Sequence, residues 1–286
     1  MFETTLGWAW GRKHPVASVA RVLIYALVLV VFCGPLLAIF TGAFDRSSDP
    51  SRMSLFPSNP TLVNFQVAAD QGLWRFLLNS LVITGGGLLL QVTVSVFAGY
   101  ALARKKFRGQ AFVLVAVLAT MMISDEVIAI PLSLVLNDLP LLGVSLRGSL
   151  LGMIVPLGAW GFSIFVISEF MKEIPKELEE AARVDGAGEL RIFLQVILPL
   201  CRPALGVITI FGFTMVWDQY LLPLIVAESP DNYPIGVGLS MLRTNPEIGP
   251  GPLLAGALVA MVPSLVVYLA FQRTFLSGLV AGAVKG

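Results

Sequence analysis

Three carboxylates stand inside stretches that are otherwise apolar enough to cross a membrane. Asp125 and Glu126 fall within 111–135, and Asp218 falls within 203–227. Ionisable side chains are costly in hydrocarbon and usually face a protein interior or a water-filled cavity. Trp217 and Tyr220 flank Asp218. An aromatic ring can cover the apolar face of a sugar while a neighbouring carboxylate accepts hydrogen bonds from its hydroxyls. Asp125, Glu126, Trp217, Asp218 and Tyr220 are therefore candidates for a substrate path. The alternative is that the acids reach outer water and the rings sit at a membrane interface, where aromatics are enriched.

Other chemistry finds few residues to work with. The single histidine, His14, sits in a short basic N-terminal stretch. Cys33 lies in an apolar run and Cys201 beside a polar segment, so the two are expected at different depths and not as a disulfide or metal pair. No GxxxxGK[ST] phosphate loop occurs, and Gly85-Gly-Gly87 lies in an apolar stretch with no following Lys-Ser/Thr, which reads as helix packing through small residues. The chain is thus expected to hold no cofactor and to catalyse no ATP hydrolysis.

The second group of interest is polar. Residues 172–202 separate two apolar runs and carry Glu180-Ala-Ala-Arg-Val-Asp-Gly-Ala187. Pro175 suits the first turn of a helix, and Glu177, Glu179 and Glu180 complement the dipole at that end. Gly186 can adopt a left-handed conformation and stop the helix. Leu190, Phe193, Leu194 and Ile197 then recur at helical spacing, and Pro199 predicts a break before the next span. A short loop would suffice to join two spans, so a segment of this size either docks a soluble partner or lies along the interface as an amphipathic connector.

The elements that carry these groups are legible from charge-free lengths. Of 286 residues 56% are hydrophobic and 13% charged, about half the charge of an average soluble domain. Charge-free runs cover 22–44, 76–103, 148–168 and 253–272, each long enough for the roughly 20 residues a membrane-spanning helix needs. With 111–135 and 203–227 they predict an all-α membrane protein of six spans. Placing the N-terminus in the cytoplasm puts fourteen of the nineteen Lys and Arg residues inside, including Arg104, Lys105, Lys106 and Arg108. The positive-inside rule then places both termini and the polar segment in the cytoplasm. The expected division is a tail at 1–21, a membrane domain at 22–275 containing the segment 172–202, and a tail at 276–286. The first span is too long for a signal-peptide core and is expected to be retained. At a depth of ~1.5 Å per residue, Asp125 and Asp218 would both lie about 21–22 Å from the cytoplasmic ends of straight helices. A net charge of +1 offers no basic surface for nucleic acid.

Glu180-Ala-Ala-x-x-Asp-Gly-Ala187, followed by Phe193, Leu198-Pro199 and Pro203, resembles the EAA motif of binding-protein-dependent ABC importer permeases. Phe271-Gln-Arg273 and Gly278-Leu-x-x-Gly-Ala-Val-Lys-Gly286 resemble the ending of carbohydrate-importer permeases of the MalG type. Asn79-Ser80, Tyr100-Ala-Leu-Ala-Arg104 and Trp217 are weaker likenesses. The resemblance spans about 23–286 and implies a type I importer permease fold in the inner membrane. It implies a coupling helix in which Glu180 contacts a cytoplasmic ATPase dimer, Ala181 and Ala182 allow close approach, and Gly186 makes the turn, with Asp185 and Ala187 completing the motif. ATP and Mg would be bound by that ATPase. A second related permease would complete the pore, and an extracytoplasmic binding protein would deliver a sugar or related polyol. Near Ser124 the family usually has a proline and at Asp218 an asparagine, so the sequence departs from the pattern at both acid sites. Two other readings compete. A secondary transporter would need midplane charges on broken helices, and a membrane enzyme would need a catalytic cluster.

Overall fold

One helix organises the bundle. The computed structural model describes residues 15–46, 56–139, 143–245 and 248–283; His14, the Asp49-Pro50 turn and the last three residues lie outside them. In chain order the helices are α1 (Pro15–Ala43), α2 (Val63–Asp70), α3 (Leu73–Arg104), α4 (Gln110–Thr120), α5 (Asp125–Asn137), α6 (Leu150–Ile154) and α7 (Gly161–Glu173). They continue as α8 (Glu177–Val184), α9 (Glu189–Ile192), α10 (Leu198–Leu200), α11 (Arg202–Trp217), α12 (Leu221–Val226), α13 (Ile235–Thr244) and α14 (Pro250–Ala283). Among the described residues there is no strand beyond an isolated bridge between Asp45 and Pro60.

The 32 residues of α3 extend for roughly 48 Å, and three apolar clusters are strung along them. Leu73 and Phe76 join Ala68, Ile235 and Leu242 at one end. Ile83 meets Leu136, Met153, Leu157, Val216 and Leu222 in the middle. Val96 packs with Ile167, Met171, Phe193, Ile197 and Ile208 at the other end. The buried stripe of α3 is small and polar as often as it is apolar: Asn79, Ser80, Thr84, Gly87, Gln91, Ser95 and Gly99. Small side chains let helix backbones approach, which drives packing where lipid is no less apolar than leucine. A Cβ at Gly99 would come within 3.1 Å of the backbone nitrogen of Ser168. The glycine run behaves as expected at two of its three positions. Gly86 faces Ile154 and Gly87 faces Leu157 and Val216, whereas Gly85 faces open space.

Among the described residues four helices are long and apolar enough to cross a membrane, and the number is six if each of two bent pairs counts as one span. The straight spans expected over 111–135 and 203–227 are corrected. The first is broken between α4 and α5 with a bend of 108°. Ser124 is extended there, and Asp125 and Glu126 occupy the first turn of α5, where the helix dipole favours acids. The depth reckoned for Asp125 along a straight helix therefore does not hold. The second ends at Trp217, with Asp218 as its C-cap, and restarts at Leu221. Span 148–168 is interrupted too, since a 3-10 turn at Val155–Gly158 containing Pro156 separates α6 from α7.

Helix α1 begins at Pro15 and α14 runs to Ala283, so parts of both expected tails, 1–21 and 276–286, are helical. None of the most apolar window of α1 is buried, and only 11% of that of α14, against 44% for Leu150–Glu173. Helices α3 and α7 are thus the core, and α1 and α14 the periphery.

Candidate functional site

The polar segment folds as an elbow. Helix α8 starts after Lys176, leaving Pro175 outside its first turn as part of an extended link from Ile174. Its C-terminus closes as a Schellman motif. The Gly186 N–H donates to the Arg183 carbonyl at 3.0 Å and the Ala187 N–H to the Ala182 carbonyl at 2.9 Å. Gly186 has φ +81°, a left-handed conformation open to glycine without a Cβ penalty. Beyond it, α9 passes into a π-helical turn at Phe193–Ile197 and then α10. That turn rotates the face of the segment. Ile192, Phe193 and Ile197 are buried while Leu190 and Leu194 are exposed, so the stripe expected from Leu190 and Leu194 does not form. The break expected at Pro199 falls two residues later, where Glu189–Leu200 meets α11 at 73°.

The EAA-like residues divide between two faces. Glu180, Ala181, Asp185 and Gly186 are exposed, and Val184 beside them is 89% exposed. Ala182 and Ala187 instead pack on the inner cluster around Phe193 and Tyr100. Ala182 is half-buried and packs closely on the chain's own bundle. Glu179, which the sequence did not single out, points inward. It pairs with Arg104 at 3.1 Å, the side chains being 7% and 3% exposed. Arg104 also donates to the Ile174 carbonyl at 2.6 Å. Around this pair, Glu189 accepts from Lys105 at 2.5 Å, Tyr100 at 3.2 Å and Arg183 at 3.2 Å. The Glu189 hydrogen bond raises the pKa of the Lys105 ammonium above its ordinary value.

The acids of the interrupted spans meet in one cavity of about 720 Å³. Asp125, Glu126, Asp218 and Tyr220 all line it, brought together because α4–α5, α6–α7 and α11–α12 break at the same place. Gln219 donates to Asp125 at 2.9 Å, and Ser124 donates to Glu126. Trp217 is the exception among the expected residues. It stacks on Phe213 and borders a separate, smaller recess with Ser80 and Leu222. The indole in the cavity is that of Trp160, which sits at the α6–α7 break. Its sequence signal was faint, an aromatic beside Gly161 in a run with no charge to draw notice. Among the described residues no Lys or Arg lines the cavity.

This fold has known counterparts. A bacterial ABC transporter involved in the import of the acidic polysaccharide alginate matches with a TM-score of 0.77 and 22% identity, over 92% of this chain and 98% of that one. A chain of the MetNI methionine ABC transporter matches with a TM-score of 0.52 and 18% identity, over 75% of this chain and 97% of that one. The family model described as binding-protein-dependent transport system inner membrane component matches residues 91–274, more than half of the chain. The chain belongs to this family. The permease is also similar over its full length to curated relatives. It is 32% identical to the arabinooligosaccharides transport system permease protein AraQ of Halalkalibacterium halodurans, over 96% of this chain and 99% of the relative. It is 32% identical to the maltodextrin transport system permease protein MdxG of Bacillus subtilis, over 94% and 96%. With the diacetylchitobiose uptake system permease protein DasC of Streptomyces coelicolor it shares 30%, over 97% and 98%. The matched region 91–274 takes in both the elbow and the cavity of this multi-pass permease.

Proposed function

We propose that this chain is one permease subunit of an ATP-driven importer for an oligosaccharide. It couples to a cytoplasmic ATPase dimer, which binds ATP and Mg, through the outer face of α8. A second, related permease completes the pore, and an extracytoplasmic binding protein delivers the sugar. The observation that carries this reading is the outer face of α8. Glu180, Ala181, Val184, Asp185 and Gly186 are exposed together on a short helix tied to the bundle from behind by the Arg104–Glu179 pair. An interfacial connector would bury its apolar residues in lipid and turn its charges to water. Here Val184 instead stands among acids, which suits a protein cleft better than a bilayer.

Full-length relatives named for arabinooligosaccharide, maltodextrin and diacetylchitobiose systems support an oligosaccharide as cargo. The cavity of Asp125, Glu126, Trp160, Asp218 and Tyr220 is the substrate path in this reading. In this reading 22–275 is the membrane domain, 172–202 its cytoplasmic segment, and both termini lie inside. Co-expression with the partner permease and ATPase tests it. A tag on this chain is expected to recover an ATP-hydrolysing complex, and Gly186→Trp to abolish uptake of the sugar bound by the partner binding protein. Recovery of this chain free of any ATP-binding subunit sinks the reading.

A further inference from the structure

Helix α8 must be held to the bundle if its displacement is to move anything, and its attachments are few. The link from α7 runs through Ile174, extended and buried in the inner cluster, and the non-helical Pro175. Ala182 is the α8 residue packed on the inner apolar cluster, and a single methyl can slide. Lys105, Glu189 and Arg183 form a solvated network that salt weakens. The turn into α9 holds the other end, where Ala187 packs on the same cluster. The attachment to α3 that is withdrawn from water is the Arg104–Glu179 pair. Arg104 also donates to the Ile174 carbonyl, and Glu179 also faces Arg183 at 3.6 Å. An ion pair withdrawn from water is hard to separate, because parting it leaves uncompensated buried charge.

Arg104 is the last residue of α3. From it, proline-free helix runs to Leu73. On the way Gly87 abuts Val216 of α11, two residues from Asp218 in the cavity wall. At the far end the Asn79 amide donates to the carbonyls of Asp231 at 2.7 Å and Tyr233 at 3.1 Å, and the Ile235 N–H donates to Ser80 Oγ at 2.8 Å. We infer that the Arg104–Glu179 pair is the joint through which displacement of α8 is passed to α3 and so to the cavity. Both are positioning residues of the transport cycle. This rests on α8 being the ATPase-docking element.

The test uses the assembled complex in lipid nanodiscs, with Cys33→Ser to clear the exposed native thiol and Ile128→Cys as a reporter in the cavity. The probe is 2-(trimethylammonium)ethyl methanethiosulfonate, with labelling rates compared without nucleotide and with ATP and vanadate. Arg104→Gln and Glu179→Gln are each expected to assemble and to hydrolyse ATP, while the nucleotide-dependent change in labelling falls about fivefold or more. The double variant is expected to be no worse than either single one, since both remove the same joint. A full labelling change in the single variants overturns the inference, as does additive loss in the double variant. Loss of assembly in step with loss of the labelling change overturns it too, because the pair would then only hold the fold. Failure of the docking reading looks different: the reporter chain with Arg104 and Glu179 intact would show no nucleotide-dependent labelling.

Discussion

Adjacent glutamates in α8 face opposite ways, Glu179 buried against Arg104 and Glu180 exposed, and substitution separates them. Glu179→Ala would leave the Arg104 guanidinium buried without its carboxylate, at a cost of about 3 kcal/mol, seen as a lower unfolding temperature of the purified complex. Glu180 is exposed, so Glu180→Ala should change stability by no more than about 0.5 kcal/mol while weakening recovery of the ATPase on a tagged chain. Equal melting points for the two variants would contradict this division. Gly186 sits at φ +81° with nothing within 4 Å of where a Cβ would stand. A Cβ there meets no clash, only the roughly 1–2 kcal/mol of a left-handed residue. Gly186→Trp should therefore fold and insert yet lose transport by obstructing the docking face, and its effect on uptake should exceed that of Asp218→Asn. A Trp variant that transports normally would remove α8 from the coupling path.

Between elements, the informative places are the breaks. Three interrupted spans place Asp125, Glu126 and Asp218 around one cavity with no Lys or Arg among the described residues of its wall, so the wall should attract cations and repel anions. Charged thiol reagents can read this at Ile128→Cys. Three carboxylates at ~10 Å, partly screened, favour a trimethylammonium over a sulfonate reagent by about tenfold. Asp125→Asn, Glu126→Gln and Asp218→Asn combined should bring the ratio close to that of a surface cysteine. A ratio unchanged by the triple variant would mean that the acids do not face the cavity. The break at 121–124 was hidden in the sequence, because Met121-Met122-Ile123 is apolar and carries neither Gly nor Pro. Only the acid pair after it hinted at a new helix start. The turn at Gly186 was legible because left-handed caps favour one residue type. Glu179 was not, since its partner Arg104 lies 75 positions away and its neighbours Glu177 and Glu180 are chemically alike.

On the scale of the whole molecule, membrane orientation rests on charge, and the fold allows it to be tested with single residues. Lys105–Arg108 follow the end of α3 that carries the elbow, while Ser58 and Asp231 belong with its opposite end. The Asp45 carboxylate accepts from the Ser58 N–H at 2.8 Å, and Asp231 pairs with Arg75 at the start of α3. These ends lie a full 32-residue helix apart, so if α3 crosses the bilayer they open on opposite sides of it. The basic cluster Arg104, Lys105, Lys106 and Arg108 favours the cytoplasm for the first end. In a Cys33→Ser chain, Lys106→Cys should react with a membrane-impermeant maleimide only in inside-out vesicles, and Ser58→Cys only in intact spheroplasts. Reaction of both from one side would break the six-span arrangement. Reversed sidedness would place α8 away from any cytoplasmic ATPase, so the coupling role of Glu180 and Gly186 depends on this measurement.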